Sequence, residues 1–188
     1  MRSLLLAGGK SSRMGEDKAM IKIEGEYCIS RIVNALYSSD KEPIRIVVSD
    51  IKYIELYGEI LNSDINLEWF VDSNQYAGPI EAIIENFEDN NILKEDLIQL
   101  ATVDVPWVTN DFFNCLRNYI SDNDDLLMPT DGVKKHPLLS LVRPKAILNK
   151  LKKGSKKPLF IQFSELECSS YLEDFKILNN INYPHDIG

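Results

Sequence analysis

With 188 residues, 44% of them hydrophobic and only 9 Gly and 8 Pro, the chain has the composition of a globular protein long enough to bury a sizeable core. Its 29 acidic against 21 basic residues give a formal net charge of -8, which argues against a nucleic-acid footprint or a membrane-surface protein and leaves any anionic ligand dependent on a local basic site. No apolar run approaches a membrane span and "RSLLLAGG" is too short an apolar core for a signal peptide, so the cytoplasm is the expected compartment.

Runs rich in Leu, Ile and Val alternate with amphipathic segments along the chain. "SLLLA" (residues 3–7) predicts a buried strand and "YCISRIVNALYSS" (27–39) a helix; "PIRIVVSD" (43–50) predicts a strand and "IKYIELYGEIL" (51–61) a helix. "INLEWFVD" (65–72), "EDLIQLATVD" (95–104) and "DDLLMP" (124–129) read as strands, with "GPIEAIIENF" (78–87) and "TNDFFNCLRNYI" (109–120) as the helices between them. Such alternation predicts right-handed βαβ units. The expected fold is therefore α/β: three layers, a mostly parallel twisted sheet with helices on both faces.

Past Pro129 the rhythm changes. "DGVKKHPLLSLVRP" (131–144) reads as a turn followed by an edge or hairpin strand, then come helices at "PKAILNKLKKG" (144–154) and "PLFIQFSEL" (158–166) and a last strand at "FKILNNIN" (175–182). No linker, repeat or low-complexity stretch interrupts the chain, so residues 1–188 are expected to form a single domain. Cys28, Cys115 and Cys168 are widely spaced, odd in number and without a CxxC pair, which suggests neither a zinc site nor a disulfide framework.

The stretch "LLLAGGKSSRMGEDKA" (4–19) carries the chemistry. In open α/β sheets ligands bind beyond the carboxyl ends of the strands, and a loop of about a dozen residues after the first strand is long for a packing turn. Glycines let the backbone approach a phosphate closely, while Arg13 and Lys18 supply positive charge for its oxygens. A Walker loop is excluded because the Lys after Gly15 follows Glu16 and Asp17, and Gly8-Gly9 does not fit a GxGxxG fingerprint. Residues 6–18, "LAGGKSSRMGEDK", instead resemble the "LAGGxSxRMGxDK" motif of nucleotidyltransferases that activate small acceptors, in the MobA-like branch of molybdenum cofactor guanylyltransferases.

That resemblance implies a Rossmann-like nucleotidyltransferase fold and a set of site residues. Leu6, Ala7, Gly8 and Gly9 would cradle the nucleotide, with Arg13 and Lys18 neutralising its triphosphate as catalytic residues. Relatives that handle cytidine nucleotides usually carry Ala where Gly8 stands, so GTP is the implied nucleotide. In "VDSNQYAGPIEAI" (71–83), Asp72 takes the family's acidic position and Gly78-Pro79 the turn that receives the base, although Gly-Pro read alone is a plain helix start. In "LATVDVPWV" (100–108), Asp104 matches the strand-end acid that holds the catalytic metal, and a carboxylate facing a phosphate loop is where Mg²⁺ is needed.

The "HP" of "GVKKHPLLSLV" (132–142) makes His136 either an acceptor-side contact or a turn residue before Pro137. "LNNINYPHDI" (178–187) resembles the closing "NxNTPEDL", which places Asn180 and Asn182 beside the pterin-bearing substrate. The basic "KKGSKK", with Lys152, Lys153, Lys156 and Lys157, either steers an anionic pterin phosphate or is a solvated helix end. Three positions depart from the family pattern: Ala82 replaces the second glycine of GPLxG, Ser49 stands at a nucleotide-binding position often held by Asn, and Tyr183 replaces Thr before Pro184. The sequence stops at Gly188, where the resemblance implies a longer last helix.

The implied reaction is transfer of GMP from GTP to the phosphate of molybdenum-bound molybdopterin, giving the guanine dinucleotide form of the cofactor and pyrophosphate. Transient contact with molybdoenzymes or their chaperones follows as the partner expectation. The alternatives are a related nucleotidyltransferase using CTP or a sugar or alditol phosphate, a non-catalytic GTP-binding subunit, and a structural α/β domain in which Arg13, Lys18 and Asp104 are idle.

Overall fold

The computed structural model describes residues 1–8, 17–37, 42–74 and 78–187. Strand β1 (Ser3–Leu6) leads, after the glycine-rich segment of the sequence, to a 3₁₀ turn at Lys18–Met20 and the short strands β2 (Lys22–Ile23) and β3 (Glu26–Tyr27). Then follow α1 (Cys28–Leu36), β4 (Ile44–Val48), α2 (Lys52–Gly58), β5 (Leu67–Val71), α3 (Pro79–Phe87), the one-turn α4 (Asn90–Leu93), β6 (Ile98–Thr102) and α5 (Asn110–Tyr119). The remaining elements are β7 (Leu126–Thr130), β8 (Leu141–Val142), α6 (Pro144–Leu151), α7 (Leu159–Ser164) and β9 (Cys168–Leu172).

Seven strands form one sheet in the order β5-β4-β1-β6-β8-β7-β9. Every pairing in it is parallel except those of β8, which runs antiparallel to both β6 and β7. Both faces of the sheet are covered, which is why its strands read as near-continuous apolar runs. Leu5 and Ala101 face a core layer built by Ile32 and Leu36 of α1, Tyr57 of α2 and Phe113 of α5. Leu4, Leu6 and Leu100 face the opposite layer, where Ile83 and Phe87 of α3, Ile147 of α6 and Phe163 of α7 pack. The expected three-layer α/β fold is thus the one observed. Among the described residues no helix is long and apolar enough to cross a membrane.

Local chemistry sets the helix starts. Thr109 caps α5 by accepting from the Phe112 N–H at 3.2 Å, and Pro79 and Pro144 occupy the first turns of α3 and α6, where their missing N–H costs nothing.

Two expectations need correction. "FKILNNIN" is not a strand: Ile177 and Leu178 donate their N–H groups to Asp174 in a turn, and Leu178 and Ile181 bury their side chains without joining a ladder. The last strand is β9, which pairs parallel with β7 from Leu126↔Cys168 to Thr130↔Leu172; its serines hide it from an apolar-run reading. The helix expected from Tyr27 starts at Cys28, because Tyr27 belongs to the β2–β3 hairpin. Glu24 (φ 51°) and Gly25 (φ 87°) form its tip, the pair of positive-φ residues that a two-residue hairpin turn requires.

Candidate active site

Because β1 lies between β4 and β6, the carboxyl ends of neighbouring parallel strands deliver Ala7 and Gly8, Ser49, Asp72 and Asp104 to one edge of the sheet. The register is carried one residue past the strands by Ala7 N–H donating to Val47 and Asp72 N–H to Val48, each at 2.9 Å. A cleft of about 370 Å³ opens there. Leu6, Ala7, Gly8, Lys18, Ser49, Asp72, Gly78, Pro79 and Asp104 all line it, joined by Asp17, Ala82, Thr102 and Leu138 among others. Gly9 and Arg13 lie outside the described residues.

Close approach favours glycine at position 8: an added Cβ would lie 3.2 Å from the Ser49 nitrogen, tighter than an ordinary contact, and 3.5 Å from Asp72 Oδ2. Burial, reinforced by the Glu85 carboxylate, pushes the Asp72 carboxyl up to about 6. Its Oδ1 is buried with no hydrogen-bond partner among the described residues. Glu85 itself is held by the Ser73 N–H, 3.2 Å from Oε2, and by the Ser73 hydroxyl.

Lys18 opens the 3₁₀ turn whose cap is Asp17, with Asp17 Oδ1 accepting from the Ala19 N–H at 3.1 Å. The other oxygen of Asp17 accepts from the hydroxyl of Tyr57 at 2.5 Å. Lys18 Nζ donates to Asn182 Oδ1 at 3.2 Å.

Asp104 is braced on both carboxylate oxygens: Thr102 Oγ1 donates to Oδ1 at 2.9 Å and Asn180 Nδ2 to Oδ2 at 3.2 Å. The Asp104 carbonyl accepts the Ile181 N–H at 2.8 Å, so the segment after β9 is tied to the end of β6 by backbone as well. Each oxygen keeps a further lone pair. Among the described residues no group of three or more His, Cys, Asp or Glu could enclose a metal ion. One oriented carboxylate suits Mg²⁺, which binds through one or two carboxylates and takes its other ligands from water and substrate phosphates.

A second cleft, of about 680 Å³, adjoins the first and shares Thr102, Asp104 and Leu138 with it. It gathers His136, Asn180 and Asn182 with Asp131, Lys134, Lys135, Phe175 and Tyr183. Burial pushes His136 below the ordinary histidine range, against the pull of Asp131, whose Oδ2 lies 3.7 Å from Nε2; the ring is neutral near pH 7. The N–H groups of Lys134 (2.6 Å) and Val133 (2.8 Å) hold Asp131 below the usual carboxylate range. The "KKGSKK" lysines line neither cleft: Lys152 pairs with Glu88 at 2.6 Å, and Lys157 shares Glu165 with Lys150.

Sequence reasoning missed Thr102, Asp17 and Tyr57. Thr102 sits two residues before Asp104 at the end of one strand, and the strand period offers a signal for it; Asp17 is the motif neighbour of Lys18. Tyr57 offers none, because its contact spans 40 residues.

A family profile described as "MobA-like NTP transferase domain" matches residues 3–162. A protein of Clostridium perfringens described as a probable molybdenum cofactor guanylyltransferase is 31% identical over 140 residues, 74% of this chain and 64% of that protein. One of Bacillus cereus with the same description is 30% identical over 139 residues, 73% of this chain and 65% of that protein. The matched segment therefore spans a little under two thirds of these relatives' length. Among solved structures, the molybdopterin-guanine dinucleotide biosynthesis protein A from Archaeoglobus fulgidus has the same fold, with a TM-score of 0.74 at 21% identity, covering 100% of this chain and 95% of that one. A nucleotidyl transferase from Methanothermobacter thermautotroptrophicus gives 0.76 at 13% identity, covering 98% and 93%.

Proposed function

The chain belongs to the MobA-like NTP transferase family, and from that premise we propose that it is a molybdenum cofactor guanylyltransferase, joining GMP from GTP to the phosphate of molybdenum-bound molybdopterin with release of pyrophosphate. The observation that carries this reading is the meeting of two clefts at Asp104, one lined by the phosphate-loop residues and Lys18, the other by His136, Asn180 and Asn182. A transfer between two bound substrates needs two sites that share one edge.

In this reading the base of GTP sits toward Asp72, Gly78 and Pro79, where the unpartnered Asp72 oxygen accepts from it, and the phosphates lie along Gly8 toward Lys18. Arg13 joins Lys18 on the triphosphate by its place in the motif. Asp104 would hold Mg²⁺, whose chemistry is to neutralise charge on the α-phosphate and the departing pyrophosphate. The acceptor phosphate lies in the second cleft, where neutral His136 can donate a hydrogen bond to it. A new O–P bond forms at the α-phosphorus as the bond to pyrophosphate breaks in line. No general base is needed, because a phosphate monoester is already largely ionised near neutral pH. Catalysis is then mainly positioning plus electrostatics. The product would pass to molybdoenzymes or their chaperones by transient contact.

Calorimetric titration with GTP, CTP and ATP in Mg²⁺, repeated for Asp104→Asn, tests the reading. GTP-selective binding that weakens about tenfold or more and loses its Mg²⁺ dependence in the variant is the expected result. Preference for CTP would move the protein to the cytidylyl branch. GTP binding without pyrophosphate release in the presence of acceptor would make it a non-catalytic subunit, and binding of no nucleotide would sink the proposal.

A further inference from the structure

Two described residues of the 6–18 motif meet a single βα unit: Gly8 lies against Ser49, just past β4, and Asp17 is pinned by Tyr57, in the α2 that follows. Tyr57 is 1% exposed, and its ring stacks on Tyr53 with centroids 5.4 Å apart. A phenylalanine would fill the same core volume. Among the described residues the hydroxyl has one partner, Asp17 Oδ2. Burial and the Asp17 carboxylate push the phenol far above its ordinary range, so it remains a donor. With Oδ1 on the Ala19 N–H and Oδ2 on the phenol, the Asp17 carboxylate has no freedom to turn, and the tight turn it caps carries Lys18 into the cleft.

We propose that Tyr57 is a positioning residue for nucleotide phosphates: through Asp17 it fixes the turn that aims Lys18 at them. The ligand's identity rests on the nucleotidyltransferase reading above; the linkage from Tyr57 to Lys18 rests on the contacts themselves.

A double-mutant cycle read by calorimetry, with GTP and with GMP as the ligand lacking β- and γ-phosphates, tests it. Tyr57→Phe keeps the ring and removes only the hydroxyl. It is expected to weaken GTP about tenfold and GMP by less than about twofold, the scale of one hydrogen bond to a charged group. In a Lys18→Met background the same change is expected to cost less than about twofold in GTP affinity, because the group through which Tyr57 acts is gone. Should Tyr57→Phe fail to fold, Asp17→Asn approaches the same bond from its half-buried side, since an amide offers one acceptor oxygen where the carboxylate offers two. Removing that negative charge favours a triphosphate, so a weaker GTP complex in Asp17→Asn reports lost positioning. Parent-like GTP binding by Tyr57→Phe, equal losses for GTP and GMP, or the same loss in the Lys18→Met background would overturn the assignment. A parent that binds no nucleoside triphosphate overturns the proposed function with it, whereas a parent that binds GTP with an additive cycle overturns the role of Tyr57 alone.

Discussion

Asp72 carries a proton in the folded chain at pH values where the unfolded chain has lost it. Its carboxyl, raised by burial and then by Glu85, titrates near 6, against about 3.9 for an unperturbed Asp. Folding stability therefore falls as pH rises from about 4 to about 6, and the penalty stays constant above that window. Asp72→Asn removes it: the variant is expected to melt at higher temperature than the parent at about pH 8, with the difference closing as pH falls through 6 toward 4. Glu85→Gln, which removes the second cause, shifts the parent's transition to lower pH. Melting curves across this range check both. Gly8, Lys18, Asp72 and Asp104 were legible as neighbours because one motif and two strand ends announce them. Thr102 and Tyr57 were not, because a hydroxyl that works by bracing another side chain leaves no local pattern, and only the fold shows whom it meets.

Among the elements, β4 shows how a charge can sit within an apolar strand. Arg45, in the middle of "IRIVV" and 3% exposed, donates to both oxygens of Glu68 on β5 at 2.9 Å and to Asp89, the cap of α4, at 2.6 Å. It lies 3.5 Å from the Asn86 amide oxygen of α3 as well, so one guanidinium fastens four elements. Arg45→Met is expected to destabilise the protein by about 2 kcal/mol in urea unfolding, below the range for a fully buried pair because Glu68 and Asp89 keep 35% and 31% of their side-chain surface. Adding Asp89→Asn should recover part of the loss, since Asp89 is the carboxylate whose ion pair Arg45→Met removes, whereas Glu68 keeps Arg2 at 3.2 Å. The strand was readable despite this Arg because four of its five residues are β-branched aliphatics. Strand β9 was not, since an edge strand needs few apolar residues, while the apolar residues at 175–182 fill the core without any ladder. The β2–β3 hairpin is too short to show a period, and only its Glu24-Gly25 tip could have given it away.

At the scale of the whole molecule, the two clefts share Thr102 and Asp104 at the end of β6 and Leu138 before β8, and otherwise draw on different parts of the chain. On the proposed function, His136→Ala is accordingly expected to raise the KM for the molybdopterin acceptor about fivefold or more, the scale of one lost hydrogen bond, while leaving GTP affinity within about twofold. Steady-state kinetics beside calorimetry separates the two. The reversed strand β8 underlies this division. Running against β6 and β7, it brings the segment that precedes it, with His136 and Leu138, back to the edge where the parallel strands end. Nearly all of the first cleft comes from residues up to 104, and most of the second from residues 131–186. On the proposed function, evolution can therefore retool such a protein for a new acceptor largely by rewriting one hairpin and one tail, provided the tail keeps Asn180 on Asp104 and Asn182 on Lys18.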